Sequence, residues 1–253
     1  MTVPIALQLY TVRADLAGDF PGVMERIAEI GYAGVEPIFR LPGTTLEAAG
    51  ELFRKLGLQV PSAHVPLPLG QDKDPVLDAM SAFGSPCIVS GKGPADFETL
   101  EGIRRTCGLF NEACGVAMEH GLRFGIHNHW WEFEQIEGCY VYQVMLEHLD
   151  PAIEFEIDTY WVQTAGVDPA GVVAEMGSRS PLLHVKDGPA AKGVPQVAVG
   201  RGEVDFAAIL RAGGEATQWL IVEMDECATD MLEAVAESYR YLAEEGWGHG
   251  REG

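Results

Sequence analysis

Paired cysteines, a basic surplus, a long apolar run and a glycine fingerprint are all missing from this sequence, and each absence removes a class of function. The five cysteines (Cys87, Cys107, Cys114, Cys139 and Cys227) are odd in number, scattered and never in a CxxC pair. That argues against a disulfide framework or a thiolate zinc site and fits reduced thiols in a cytoplasmic protein. Lys and Arg total 17 against 38 Asp and Glu, a formal charge of −21. Such a balance repels phosphate backbones and anionic lipid, so neither nucleic acid nor a membrane is expected as a partner. It leaves open a phosphorylated small molecule held in a local basic pocket. No apolar stretch approaches the roughly 20 residues needed to span a bilayer. The opening Met-Thr-Val-Pro-Ile-Ala-Leu-Gln-Leu-Tyr lacks the basic start and long apolar core of a secretory leader, and reads as a strand.

What is present is a recurring unit: a short apolar run, a polar loop, then a longer stretch of helical periodicity. That alternation predicts βα units around a parallel sheet. The strand candidates are Ile5–Tyr10, Gly34–Ile38, Val60–Val65, Cys87–Ser90, Arg123–His129, Ile153–Asp158, Leu182–Lys186 and Leu220–Asp225. Helical stretches fall near 19–30, 45–57, 73–83, 95–120, 139–149, 169–177, 205–212 and 228–245. Eight strands close a (β/α)8 barrel, and 253 residues is an ordinary length for one. An open nucleotide-binding sheet should carry a glycine cluster after its first strand, and Gln8-Leu9-Tyr10-Thr11-Val12-Arg13 has none. The expected organisation is therefore one α/β domain, a single (β/α)8 TIM barrel over 1–247, with a flexible tail over 248–253.

Parallel strands are normally apolar on both faces, so ionisable residues inside them need a reason. In barrel enzymes that reason is the active site at the C-terminal strand ends. Because side chains alternate, Phe124 and Ile126 facing the helices would turn His127 and His129 inward. By the same count Glu154, Glu156 and Asp158 share an inner face, as do His184 with Lys186 and Glu223 with Asp225. Gln8, Glu36 and His64 join them from the first three strands. Glu154 and Glu156 read equally well as deep structural residues, with Lys186 as a partner. His120, His148 and His249 fall on helix ends or the tail and carry no assigned role. A mixed carboxylate and imidazole set suits one divalent ion: Mn, Mg, Co or Zn.

At these residues the chain resembles the xylose isomerase-like TIM barrel superfamily of sugar isomerases, epimerases and inosose dehydratases. The resemblance runs over nearly the whole chain. It rests on Gln8-Leu9-Tyr10-Thr11-Val12-Arg13, Gly34-Val35-Glu36, Ser62-Ala63-His64, Gly125-Ile126-His127-Asn128-His129-Trp130-Trp131-Glu132-Phe133 and Asp158-Thr159-Tyr160-Trp161. It continues with His184-Val185-Lys186-Asp187, Gly200-Arg201-Gly202-Glu203-Val204-Asp205-Phe206 and Val222-Glu223-Met224-Asp225. It implies a metal held by Asp158, His184 and Glu223. Epimerases of the superfamily add a glutamate from strand five, where this chain has His127. The fourth ligand is left between His127, His129 and Glu132 in the loop beyond.

The chemistry expected from that resemblance is proton abstraction beside a carbonyl, giving an enediolate of a small sugar-like polyol. Glu223 is the candidate for one acid/base group and His127 or His129 for the other. Lys186 or Arg201 would hold a hydroxyl or neutralise the oxyanion. Trp130, Trp131 and Trp161 would offer apolar walls to a sugar. Returning the proton makes an isomerase or epimerase; expelling a β-substituent makes a lyase of the inosose dehydratase or 3-keto-glycoside-cleaving type. The superfamily's abasic-site endonucleases need more metal ligands and a basic surface, which this acidic chain lacks. A metal-free binding barrel is the remaining alternative. The superfamily also implies a homo-oligomer.

Overall fold

The computed structural model describes residues 2–251. Eight parallel strands form the barrel: β1 (Val3–Gln8), β2 (Gly34–Glu36), β3 (Ala63–His64), β4 (Cys87–Ser90), β5 (Arg123–His127), β6 (Glu154–Asp158), β7 (Leu182–Val185) and β8 (Trp219–Val222). Each pairs with its neighbours in the chain, and β8 returns to β1. Between β2 and β3 closure is thinner, through the isolated bridges Gly34↔Gln59 and Ile38↔His64. The (β/α)8 barrel expected from the alternation is therefore the fold observed.

The strands stop earlier than the apolar patterning suggests. β5 ends at His127, β7 at Val185 and β8 at Val222, so His129, Lys186, Glu223 and Asp225 ride on the loops just beyond. The ladder ends there because side chains replace it as partners. Thr11 Oγ1 accepts from the Met224 amide at 3.0 Å, and Gln196 Oε1 from the Asp225 amide at 2.6 Å.

The outer helices begin on capping side chains: Asp19, Thr45, Thr99, Asp168, Asp205 and Asp230 each accept a backbone amide of the first turn. Two short helices that the periodicity does not announce, Arg13–Gly18 and Thr159–Thr164, follow β1 and β6. The second exists because Asp158 caps it, Oδ1 accepting from the Trp161 amide at 2.9 Å. None of the described helices is long and apolar enough to cross a membrane.

Alternation gives the barrel two unlike halves. Phe124, Ile126, Phe155 and Ile157 pack outward in the main core, Phe124 against Phe110 on the helix Leu100–Glu119. Inside, Ala6, Cys87, Val89, Leu182 and Ile221 form a separate apolar floor. The polar inward residues stand above it, one or two strand steps nearer the mouth. Glu154 lies at the opposite end, where its carboxylate meets Arg123 at 2.7 Å.

The stretch from 248, expected to fray, is seated. Gly248 and His249 pair in parallel with Val3 and Pro4 of β1. The Arg251 guanidinium donates to the Leu56 and Ala28 carbonyls. Glu252 and Gly253 of that expected tail lie outside the described residues.

Candidate metal centre

The deepest polar layer is built on two carboxylates. Glu36, fully buried, accepts from the Ser62 hydroxyl at Oε1 and from Gln8 Nε2 at Oε2, the latter at 2.6 Å. Glu156 gathers imidazoles. Its Oε1 lies 2.5 Å from His64 Nε2, 2.9 Å from His184 Nε2 and 3.1 Å from His127 Nδ1. His184 Nε2 also stands 2.8 Å from Glu36 Oε2. The His64 and His184 rings stack at 5.3 Å with planes 3° apart.

These contacts split the two carboxylates electrically. Burial and the neighbouring Glu156 charge raise Glu36 to about 7. Burial would also raise Glu156, but the His184 and His64 charges outweigh it and hold that carboxyl well below its usual range. For His184 burial favours the neutral ring, yet Glu156, Glu223 and Glu36 overcome it and raise its pKa well above the usual value.

One layer higher, His184 turns Nδ1 to Glu223 Oε2 at 2.8 Å. Lys186 Nζ lies 2.8 Å from Glu223 Oε2, 2.8 Å from Asp225 Oδ2 and 3.1 Å from Asp158 Oδ2. That last approach is off the hydrogen-bonding direction, so Asp158 Oδ2 is buried without a hydrogen bond. Burial and the Glu223 charge raise Asp158 to about 6, against the opposing pull of Lys186 and His184. The Asp158 backbone is fixed by Asn128, whose Oδ1 accepts from the Asp158 amide at 2.9 Å while its Nδ2 donates to the Asp158 carbonyl at 3.2 Å.

His127, Asp158, His184 and Glu223 each place one donor atom within 4.8 Å of the others, all four side chains being buried. A second set, His64, His127, Glu156 and His184, meets the same distance limit one layer deeper. The residues fit a divalent cation on two counts. Asp158 Oδ2 and Glu156 Oε2 are buried oxygens with no hydrogen-bond partner. The Lys186 ammonium already rests against two of the upper carboxylates, where positive charge is wanted. Neither group includes Glu132 or His129, so among the three residues left open for the fourth position the geometry brings His127.

Glu132 lies in the short helical turn Trp131–Phe133. Its Oε2 accepts from the His129 amide at 2.8 Å, and Oε1 is buried with no partner. Burial raises this carboxyl to about 8, despite the His129 amide that favours its charged form. His129 stacks on Trp131 at 4.1 Å, and burial together with the Lys186 charge lowers it to about 4. Trp131 donates Nε1 to the Lys92 carbonyl at 3.1 Å. Trp161 packs on Trp130 at 4.9 Å, with Lys186 Nζ 5.2 Å from its ring centre.

Arg201, expected to hold substrate, is not brought to this cluster. Its side chain is 65% exposed and pairs with Glu237 on the helix Met231–Glu244. The cause is Asp187, which binds the amides of Gly200 and Gly202 on either side and turns the intervening side chain outward. Asn128, Ser62 and Gln196 are structural parts of the site to which the sequence gave no role. The available signal for Asn128 was an amide breaking the alternation between two histidines.

No curated protein matches the chain in sequence. Among solved structures, a sugar phosphate isomerase/epimerase from Parabacteroides distasonis superposes with a TM-score of 0.81 at 23% identity, over 96% of this chain and 94% of that one. The probable 3-DHS dehydratase of petrobactin synthesis from Bacillus anthracis gives 0.74 at 13% identity, covering 96% and 99%. The IolI protein with a bound zinc atom gives 0.71 at 13% identity, covering 96% and 97%. At these identities the likeness is one of fold. The family model for the xylose isomerase-like TIM barrel matches residues 24–245, and the chain belongs to that family.

Proposed function

We propose that this chain is a cytoplasmic enzyme that binds one divalent cation (Mn, Mg, Co or Zn) and moves a proton beside the carbonyl of a small ketosugar or sugar-like polyol. The product would be an isomer or epimer formed through an enediolate. The observation that carries the reading is the convergence of His127, Asp158, His184 and Glu223 at the strand ends. When bound there, the cation polarises the carbonyl and stabilises the oxyanion.

The remaining work falls to the chain's own groups. Burial alone would protonate Glu223, but the Lys186 and His184 charges keep it ionised, as a proton acceptor must be. Glu132 holds its proton near neutral pH and sits against the His129 backbone, which suits it to return one. Asn128 fixes the Asp158 backbone, and Glu156 fixes the His127 and His184 rings. Trp130, Trp131 and Trp161 wall the approach.

Elimination is the second reading, and Glu132 favours it. A buried, protonated carboxylic acid is the group needed to protonate a departing hydroxyl, while His127 stands where epimerases of this fold place a second glutamate. The test begins with elemental analysis. Near-stoichiometric divalent metal in the wild type, lost in Asp158→Ala and Glu223→Ala, is the expected result. Ketosugars incubated with the loaded protein in D2O should then gain deuterium without loss of mass as water; loss of water would select the lyase. Wild-type protein that holds no metal after loading with Mn, Co or Zn would sink the mechanism.

A further inference from the structure

The loop after β7 gathers backbone amides in the way an anion-binding nest does. The anion it surrounds is the chain's own. Asp187, buried, accepts at Oδ1 from the Gly188 amide at 2.9 Å and the Val204 amide at 3.2 Å. Its Oδ2 accepts from the Gly200 amide at 2.8 Å and the Gly202 amide at 2.9 Å. The cradle is closed tightly enough that a Cβ on Gly202 would stand 2.1 Å from Asp187 Oδ1 and 2.2 Å from the Gly188 nitrogen.

In barrels of this architecture the loops after the seventh and eighth strands, with the start of a short helix, form the frequent phosphate site. Here each of those donors is spent internally. The helix Phe206–Gly213 begins on Asp205, whose Oδ1 takes the Ala208 amide at 2.9 Å. After β8, the amides of Met224 and Asp225 go to Thr11 and Gln196.

The cations around the mouth are spent as well. Lys186 is held by Asp158, Glu223 and Asp225. Arg13 donates to the carbonyls of Tyr10 at 2.8 Å and Asp225 at 2.9 Å, and lies over the Tyr10 ring. Lys192 pairs with Glu134 at 2.9 Å. Against them, Glu36, Glu132, Glu156, Asp158, Glu223 and Asp225 line the interior or its rim.

We infer that the site takes an uncharged polyhydroxylated carbonyl compound and excludes its phosphate ester. This rests on the proton-transfer reading above and narrows its substrate class. A terminal phosphate would meet carboxylates with neither a free guanidinium nor an open amide cradle to receive it. Sugar hydroxyls find acceptors in the same carboxylates, Asp225 being 39% exposed at the rim.

The experiment compares a free ketose with the same ketose phosphorylated at its terminal carbon, both on metal-loaded protein. Solvent-deuterium exchange gives kcat/KM for each, and isothermal titration gives binding of the phosphate ester. Exchange should favour the free sugar by at least about 100-fold, as juxtaposed like charges impose. Equal or better turnover of the ester overturns the inference. Should no ketose exchange at all, the proton-transfer reading fails by itself, and the titration still decides this one. Ester binding tighter than about 1 mM refutes phosphate exclusion, and absence of such binding supports it.

Discussion

Glu132 was open to two readings, metal ligand or buried acid, and one substitution separates them. In the folded chain its carboxyl is raised by burial to about 8, from an ordinary value of 4.5. The folded form therefore keeps a proton that the unfolded chain releases across that interval. Stability from this group is complete below the unfolded pKa and is lost as pH climbs toward the folded one. One proton of difference is worth about 1.4 kcal/mol per pH unit. Between about pH 5.5 and 7.5 the wild type should lose about 3 kcal/mol from Glu132 alone.

Glu132→Gln imitates the protonated acid in shape and leaves the His129 amide an acceptor, so it should fold with little cost at low pH. It should lack that one-proton slope. Glu36, raised to about 7, slopes the same way in both proteins and cancels from the difference. The assay is chemical denaturation of metal-free protein at a series of pH values, wild type beside variant. Converging to diverging curves, separated in Tm by about 5–10 °C more at the alkaline end, are expected. Parallel curves would mean that Glu132 is ionised in the fold, which refutes the buried-acid argument and returns the residue to the list of candidate ligands.

Other consequences are open to direct measurement. Glu156→Gln keeps the size but removes the charge that orients His127, His184 and His64, and metal affinity read by chelator competition should fall about 10–100-fold; an unchanged affinity would remove its orienting role. Asp187→Ala strips four backbone amides of their acceptor, with an expected loss of about 3 kcal/mol or more in urea denaturation. Inorganic phosphate should raise the Tm of that variant while leaving the wild type unmoved, because only the variant has an open cradle. Loading wild type with a divalent cation should raise its Tm in proportion to the logarithm of free metal, and a chelator should reverse the gain; a Tm indifferent to both would argue against the site.

The barrel and most of the site could be read from alternation because the same period of two governs both. Phe155 and Ile157 point out to the helices, and that alone obliges Glu154, Glu156 and Asp158 to point in. What alternation cannot supply is depth. Glu154 and Glu156 differ by one inward step, yet the first meets Arg123 at the far end of the barrel and the second touches three histidines. Nor can it describe residues beyond the ladder. Arg201 sits in a motif that resembles the family's, but its direction is set by which amides Asp187 captures, a contact spanning more than a dozen residues. The short helix Thr159–Thr164 was invisible for a related reason: its start depends on the Asp158 carboxylate rather than on periodicity.

Asp158 shows how a single residue joins fold to chemistry. Its amide and carbonyl bind Asn128 across to β5, its Oδ1 starts a helix, and its Oδ2 is left over, buried and without a hydrogen bond. A carboxylate restrained at three points loses little further freedom when it binds a cation, so the cost of ordering that ligand is met during folding. Lys186 completes the argument. A buried ammonium among Asp158, Glu223 and Asp225 prevents the uncompensated repulsion that those acids would otherwise impose on the metal-free barrel. Replacing it by methionine should therefore lower the stability of the metal-free protein far more than that of the loaded one. Equal losses in both forms would show that Lys186 is a packing residue rather than a counter-charge for the empty centre.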